Sequence, residues 1–329
     1  MNTILQTQKP PIMASRSVRL NTLETKGFDI LKNKIIQNLK DTLVMIDWNE
    51  KNGIKVFRLS SELFPHKSNS KAMSYNYDFA LDLLKEIGLK AKLYNQRITF
   101  HPGQYNVIGT PREDVFKNTI LDLTYHAEML DLMNMSKNSV IVIHGGGVYK
   151  NKEETIERWC KQFYLLPEIV RKRVVLENCE KNFSIEDCLK ISEKINIPVV
   201  FDTHHFECYK LLHPDETFED PEIYIHEILE TWWKRGIKPK FHVSEQGTGK
   251  IGHHSNFIET IPNYLLEIPE KFACDIDIMI EAKLKEQAIF KLYDKYPFLN
   301  CKKKTTKFKI NVKAMNWANN CKENCQCCI

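Results

Sequence analysis

Six apolar, β-type segments of this chain each end in a side chain that can bind a metal ion. Three histidines and three acids follow the segments RITF, VIVI, VVL, PVVF, KF and DIMI: His101, His144, Glu177, Asp202, His242 and Glu281. Their spacing averages about 36 residues, close to one strand-plus-helix unit of a βα barrel, in which active sites are assembled at the carboxyl ends of the strands. A satisfied polar residue at a strand end would explain any one of them alone. Six in register predict a common rim.

The rest of the chain supports this architecture, because short β-rich segments alternate with longer amphipathic patterns. The predicted strands cover 54–59, 97–100, 140–143, 174–176, 197–201, 238–241 and 275–280. The predicted helices cover 26–49, 77–87, 114–135, 153–169, 185–195 and 222–235. Strands separated by helices are parallel, and uninterrupted apolar strands are buried on both faces. We therefore predict an α/β fold, a TIM-type barrel over residues 1–298, followed by a flexible basic tail over 299–329.

Composition limits the cellular setting and the partners. The chain is 43% hydrophobic and 27% charged, and no apolar run approaches the roughly 20 residues of a bilayer-spanning helix. No basic-then-apolar leader opens the sequence. We therefore expect an intracellular protein (in the cytoplasm, the nucleus, a viral factory or a virion) that is not secreted and binds no membrane. The net charge of +5 comes from the lysine-rich end after residue 300, which is compatible with nucleic-acid association.

The ten cysteines do not indicate a disulfide framework. Six are scattered without a repeated spacing and are interpreted as buried small side chains or unreactive thiols. None stands at a predicted strand end, which argues against a zinc–thiolate cluster at the rim. The other four, at positions 321, 325, 327 and 328, have a spacing that matches no recognised zinc finger. A disordered end is the preferred interpretation there, with zinc binding as the alternative.

Carboxylates and neutral imidazoles are the ligands that Zn²⁺ and Mn²⁺ use, and a carboxylate can bridge two ions. Ions bridged at about 3.5–4 Å suit phosphodiester hydrolysis, in which both the attacking and the leaving oxygen need stabilisation. One member of each adjacent histidine pair, 204–205 and 253–254, could extend the cluster. Arg58, Lys283 and Lys285 lie beside the predicted rim and could contact phosphates, although surface lysines need no special explanation.

Several strings resemble the UV-damage endonuclease family in order along residues 1 to about 293. They are FRLSSELFPH, HPGQY, DLTYHAEMLD, VIHGGGVYKNK, LENCE, FDTHHF, FHVSEQG, HHSNF and DIMIEAKLKEQA. The resemblance implies a TIM barrel related to endonuclease IV, with two or three divalent ions, Mn²⁺ first and Mg²⁺, Zn²⁺ or Co²⁺ as alternatives. It also implies a monomer that nicks UV-damaged double-stranded DNA 5′ to pyrimidine dimers and 6-4 products, leaving a 3′-hydroxyl and a 5′-phosphate.

The family motifs also imply roles for individual residues. The implied metal ligands are His101, His144, Glu177, Asp202, His205, His242, His254 and Glu281. Glu177 would bridge two ions, with Asp202, His242 and Glu281 completing one site and His101 and His144 the other. Lys240 matches a family lysine that can be carboxylated near the metals, so Glu177, Glu281 and Lys240 are the candidate catalytic residues. Gln104 and Tyr105 match residues that probe the lesion; without the resemblance, a polar loop is the preferred interpretation of this pair.

One departure from the family pattern concerns the start of the barrel. Family members usually begin with a strand of the form LGYxxxN, whose tyrosine joins the lesion probe, and no equivalent is visible here. Either a preceding segment is missing from the sequence as given, or residues 5–20 lie across the gap of a seven-stranded barrel, whose edges would otherwise be unpaired. Two other functions stay open at this stage: a sugar isomerase or epimerase on a related metal-binding barrel, and a damage-binding protein that does not cleave.

Overall fold

A computed structural model describes residues 4–302, and within them seven parallel strands form the wall of a barrel. In chain order they are β3 (Val56–Arg58), β4 (Arg97–Thr99), β5 (Ile141–His144), β6 (Val174–Glu177), β7 (Val199–Val200), β8 (Lys240–Val243) and β9 (Asp277–Ile280). Parallel pairing runs from each strand to the next: two of these contacts are single bridges, Phe100 with Ile141 and Asp202 with His242. The predicted TIM-type fold is confirmed.

Helices cover the outside of this wall. Those of at least seven residues are α1 (Leu20–Lys26), α2 (Phe28–Lys51), α3 (Leu81–Leu93), α4 (Glu113–Leu132), α5 (Lys152–Phe163), α7 (Ile185–Ile195), α8 (Thr203–Leu212), α9 (Ile225–Arg235) and α12 (Glu286–Lys295). Three single-turn helices, α6 (Glu168–Arg171), α10 (Asn263–Leu266) and α11 (Ile268–Lys271), fill connections. Among the residues described, none of the helices has the length and apolar character needed to cross a bilayer.

The predicted helix over 26–49 corresponds to α2, and α1, which precedes it, was not predicted. Gly27 separates α1 from α2 with a φ of 75°, a left-handed conformation that glycine adopts without steric cost. The predicted helix over 153–169 is shorter in the structure, because α5 ends at Phe163 and α6 follows as a separate turn. The helices α8 and α12 were not predicted.

The chain before α1 lies across the seam between the first and last strands of the barrel. It forms a short antiparallel hairpin of β1 (Ile4–Leu5) and β2 (Ile12–Met13). The Thr7 amide donates to Glu286 Oε1 at 2.8 Å, at the start of α12. The Arg16 amide donates to Asn38 Oδ1 at 2.8 Å, on α2. These contacts join the helices that flank the seam, which agrees with the expectation that residues 5–20 lie across it. Within residues 4–302 no strand pairing connects β3 to β9.

Candidate metal centre

All six predicted strand-end residues lie at the carboxyl-end rim of the barrel. His144 and Glu177 are the last residues of β5 and β6 and are paired in register. Asp202 follows β7 and pairs with His242 of β8, while Glu281 follows β9. Each strand enters the rim from a buried apolar run, and parallel strands bring their carboxyl ends to the same side. The fold therefore gathers these side chains without any long loop.

Glu177 lies at the centre of the group. Its carboxylate is fully buried, and imidazole nitrogens from other strands and from α8 surround it. His242 Nδ1 is 2.6 Å from Glu177 Oε1, and His101 Nε2 is 2.8 Å from Oε2. His144 Nε2 lies 3.4 Å from Oε2 and His205 Nδ1 lies 3.8 Å from Oε1.

Two sets of ligand atoms that include Glu177 are each compact enough to hold one ion, with all atoms within 4.8 Å of one another. The first donor group consists of His101, Glu177, His242 and Glu281, and the second of Glu177, Asp202 and His205. Glu177 belongs to both, so its carboxylate is placed to bridge. The grouping differs from the one expected from the sequence, because His101 joins His242 and Glu281, and Asp202 joins His205.

Unpaired buried atoms in this cluster fit bound cations. Asp202 Oδ2 and His144 Nδ1 are buried without a hydrogen-bond partner among the residues described. A buried carboxylate oxygen without a partner carries a desolvation cost that a coordinating cation removes. The donor chemistry, oxygen and imidazole nitrogen, suits Mn²⁺ or Zn²⁺.

Electrostatics keep most of the cluster in the form that metal binding requires. Burial lowers the pKa of His242 to about 3 and that of His144 to about 4, despite the nearby Glu177 carboxylate. Burial alone would raise the pKa of Glu177, but the imidazoles of His242, His101 and His144 outweigh it and hold this pKa well below its usual range. At neutral pH, Glu177 is therefore anionic while His144 and His242 offer free lone pairs.

In each adjacent histidine pair, 204–205 and 253–254, one histidine lies near the cluster and the other does not. Asp202 caps α8, accepting from the amides of His204 and His205 at 2.8 Å each, which turns His205 toward Glu177. The His204 ring instead contacts Cys208 Sγ at 3.4 Å. His254 Nδ1 lies 3.9 Å from Glu281 Oε2, at the margin of the cluster, whereas His253 is exposed.

Lys240 and Arg58 lie directly under the cluster. The Lys240 side chain is fully buried and its ammonium nitrogen contacts His242 Nε2. Burial first, and the nearby Arg58 second, hold the pKa of Lys240 well below its usual range. Arg58 is 6% exposed and its guanidinium donates to Glu281 Oε1. In this structure Arg58 orients a candidate ligand, and its predicted phosphate contact stays a prediction.

The predicted DNA-contacting residues lie around the opening of the rim. Gln104 and Tyr105 form an exposed tip in the connection after β4, and 66% of Tyr105 is accessible. Lys283 is exposed and lines, with His254 and Gln246, a groove of about 400 Å³. Lys285 is partly buried at the start of α12. The structure thus places Gln104, Tyr105 and Lys283 at an accessible surface next to the cluster.

Sequence reasoning missed a thiol at the rim. Cys179 and Glu180 follow β6, and their ligand atoms lie within 4.8 Å of a His144 nitrogen. The turn after Asn178 brings Cys179 inward, because its Sγ accepts the amides of Asn182 and Phe183 at 3.3 Å each. The string LENCE contained the signal, two metal-capable side chains just beyond Glu177. No cysteine ends a strand among the residues described, but Cys179 lies two residues beyond the end of β6 and close to His144.

Comparisons with known proteins agree with this architecture. The chain matches the model of the family described as UV-endonuclease UvdE over residues 1–313. It is 39% identical over 290 residues to a protein of Acanthamoeba polyphaga mimivirus that carries a UV-damage endonuclease name, covering 87% of this chain and 86% of that protein. It is 36% identical over 313 residues to the UV-damage endonuclease of Schizosaccharomyces pombe, covering 91% of this chain and about half (50%) of that protein. The crystal structure of SacUVDE matches with a TM-score of 0.76 and 32% identity, over 88% of this chain and 94% of that one. The chain therefore belongs to the UV-endonuclease UvdE family.

Proposed function

We propose that this chain is a metal-dependent endonuclease that nicks double-stranded DNA 5′ to UV photoproducts, leaving a 3′-hydroxyl and a 5′-phosphate. The family and its relatives, which are named for UV-damage endonuclease activity, support the reaction class. The observation that carries metal dependence is the position of Glu177, one buried carboxylate shared by two donor groups. A bridging carboxylate between two ions is the arrangement that phosphodiester hydrolysis uses.

In this mechanism the protein supplies position and charge. Glu177 would bridge the ions, with His101, His242 and Glu281 on one side and Asp202 and His205 on the other. His144 and His254 would complete the ligand set from the edges. Two or three divalent ions, with Mn²⁺ preferred and Mg²⁺, Zn²⁺ or Co²⁺ as alternatives, would stabilise the attacking and leaving oxygens of an in-line displacement. No side-chain nucleophile is needed, and Arg58 keeps the Glu281 carboxylate in place.

The charge of Lys240 would affect how strongly the centre holds its ions. Its lowered pKa favours the neutral amine, and the free electron pair of such an amine can react with carbon dioxide. A carboxylated Lys240 would present an anionic oxygen to the ions, where an ammonium would repel them. We therefore assign Lys240 to the catalytic centre together with Glu177 and Glu281.

Gln104 and Tyr105 would recognise the damaged site. They form the exposed tip next to the metal cluster, and an aromatic ring with an adjacent amide can fill the space left by displaced bases. A fused pyrimidine dimer stacks poorly, so its extrusion costs less than the few kcal/mol needed for intact DNA. Lys283 and Lys285 would contact backbone phosphates, and the protein would act as a monomer.

The decisive experiment compares supercoiled plasmid with and without UV irradiation, incubated with the protein and Mn²⁺ or with a chelator. We expect nicks in irradiated plasmid only, with Mn²⁺ only, and 3′ ends that a polymerase extends without processing. Equal nicking of both plasmids, or nicking of neither, would sink the proposal. Tight binding to irradiated DNA without nicking would instead indicate a damage-binding protein, and ketose conversion without nicking would indicate an isomerase.

A matched pair of variants on β9 separates chemistry from stability. Glu281→Gln removes a candidate metal-binding carboxylate just after this strand, while Asp277→Asn removes a buried acid at its beginning. Both acids pair with an arginine: Glu281 with Arg58 and Asp277 with Arg97, the latter at 2.9 Å. We expect Glu281→Gln to lower nicking by about a hundredfold or more with damaged-DNA binding retained, and Asp277→Asn to keep nicking within about threefold. Equal losses in the two variants would assign Glu281 to stability alone.

A further inference from the structure

The buried face of α4 carries hydrogen-bonding side chains that the metal centre does not use. They are Thr119, Asp122, Tyr125 and His126, and each is at most 5% exposed. Their spacing in the helix places them on one side, and we call this set the α4 polar strip. Buried polar groups are costly unless they are hydrogen-bonded, so the partners of the strip show what it holds.

One set of partners lies in the connection after β4, which begins at His101 and carries the Gln104–Tyr105 tip. Asn106 Nδ2 donates to Asp122 Oδ2 at 2.8 Å and to the Gly103 carbonyl at 3.1 Å. The Val107 amide donates to Thr119 Oγ1 at 3.1 Å. The residues immediately after the exposed tip are therefore fixed to α4 by side-chain hydrogen bonds.

The other set of partners lies in the connection after β3, which follows Arg58. Ser68 Oγ donates to Asp122 Oδ1 at 2.6 Å. The Tyr125 hydroxyl accepts the Phe64 amide at 3.1 Å and donates to the Ser61 carbonyl at 2.9 Å. Ser61 Oγ also lies 2.9 Å from His126 Nε2. The two oxygens of Asp122 thus hold two different connections, one each.

Both connections also begin at the metal cluster. Arg58, before the first, pairs with Glu281, and His101, at the start of the second, lies 2.8 Å from Glu177. Each connection is therefore fixed at one end by the cluster and farther along by α4. Within the tip the Tyr105 ring lies over Gly103, where an added Cβ would come within 2.5 Å of it.

We infer that Asp122 is a positioning residue, which holds the Gln104–Tyr105 tip at a fixed place relative to the metal centre by tying both connections to α4. This inference rests on the proposed function, since it assigns the tip to damage recognition. It adds a residue that touches neither the ions nor the DNA. Removal of the Asp122 carboxylate should therefore affect recognition of the lesion and leave the metal chemistry in place.

The test uses three variants of the full chain. Asp122→Ala removes both hydrogen bonds. Asp122→Asn can keep both, because its oxygen can accept from Asn106 and its amide can donate to the Ser68 hydroxyl, which also accepts. Asp131→Ala is the control, since Asp131 is another α4 carboxylate that holds a buried partner, Arg173 at 2.6 Å, at the helix end away from the rim. Steady-state nicking of irradiated and undamaged plasmid with Mn²⁺ gives KM and kcat.

We expect Asp122→Ala to raise KM for irradiated plasmid about fivefold or more, the factor for one net hydrogen bond, with kcat nearly unchanged and a smaller preference for damaged DNA. Asp122→Asn should restore KM, and Asp131→Ala should leave it near the wild-type value. If Asp122→Ala and Asp131→Ala have the same KM, the positioning role is wrong although the proposed function stands.

Amide hydrogen exchange supplies a readout that needs no nicking. In Asp122→Ala, residues 60–68 and 103–108 should exchange faster together, because one shared anchor is lost, while Asp131→Ala leaves both segments protected. If either segment kept its wild-type protection in Asp122→Ala, Asp122 would not hold both connections. If the wild-type protein nicks neither plasmid, the proposed function fails, and the exchange result still decides whether Asp122 links the two connections.

Discussion

At the scale of single residues, protonation distinguishes the two donor groups. Burial lowers the pKa of His205, but the carboxylates of Asp202, Glu177 and Glu281 outweigh it and raise this pKa to about 9. His242, in the first donor group, has a pKa of about 3 because it is buried. At pH 7 without metal, His205 is therefore protonated and His242 is neutral. An ion entering the second donor group has to displace a proton, whereas none has to leave His242.

Metal titrations should reveal this difference. Because the His205 proton competes with the ion, binding at the second donor group should release about one proton at pH 7, and its affinity should rise roughly tenfold per unit as the pH increases toward 9. Calorimetric titration with Mn²⁺ in buffers of different ionisation enthalpy measures the released protons. His205→Asn should abolish this release, while His226→Asn, a change in an exposed histidine on α9, should not. Identical proton release in both variants would contradict the assignment.

The residue types of the cluster could be predicted from the sequence, but their grouping could not. Spacing along the chain places His101, Glu177 and His242 at one rim because each follows a strand. It does not say which side chains meet across the interior, since β4, β6 and β8 are not neighbours in the barrel. The distances around Glu177 come from closure of the wall. The link from α4 to the tip was also missed, because Asp122 belongs to an ordinary helical pattern.

At the scale of elements, a helix with a recognisable cap and an apolar stripe was predicted at both ends, whereas α8, whose first turn belongs to the site, was missed. The predicted helix 185–195 matches α7 at both ends, and its Ser184 cap forms a capping box with Asp187, a pattern that marks a helix start. The helix α8 was missed because its first turn buries His204 and His205. Polar side chains on the buried face erase the apolar period on which a helix prediction depends.

Close packing of α3 against the end of α4 depends on one glycine. A Cβ at Gly88 would lie 1.8 Å from the carbonyl oxygen of Met133, so the helices would have to move apart. We expect Gly88→Ala to lower the free energy of unfolding by about 1–3 kcal/mol, as overpacking does, although alanine favours helix by about 1 kcal/mol. Urea denaturation measures the change. Leu89→Ala, at a position 67% exposed, should stay within about 0.5 kcal/mol, and a stable Gly88→Ala would refute the packing account.

At the scale of the whole molecule, the described part of the barrel wall lacks strand pairing between β3 and β9, and Glu281 of the metal cluster lies at that seam. Residues 4–302 show no ladder between β3 and β9. The hairpin segment contacts the helices on both sides of this seam, and Arg58 pairs with Glu281 across it at the rim. The strand order was predictable because each βα unit has its own apolar run. The position of residues 5–20 across the seam was only one of two alternatives, the other being a missing preceding segment. These residues have no repeated pattern that specifies a partner.

Metal binding should therefore stabilise the entire fold and not the rim alone. The candidate ligands come from the ends of β4, β6, β7, β8 and β9 and from α8, so bound ions would connect strands on both sides of the wall. A ligand that binds only the folded state stabilises it by about 2.7 kcal/mol at a hundred times its Kd, which for a domain of this size raises the Tm by several degrees.

Thermal unfolding with Mn²⁺ and with chelator measures this metal-dependent increment in Tm directly. We expect a Tm several degrees higher with Mn²⁺ in the wild-type protein and in Asp277→Asn, because Asp277 lies at the opposite end of the barrel from the cluster. Glu177→Gln should lose most of the increment, since the replaced carboxylate belongs to both donor groups, whereas Glu281→Gln, which alters one group, should keep part of it. A full increment in Glu177→Gln would mean that Glu177 does not bridge. The graded loss across these variants distinguishes a shared ligand from two independent ones.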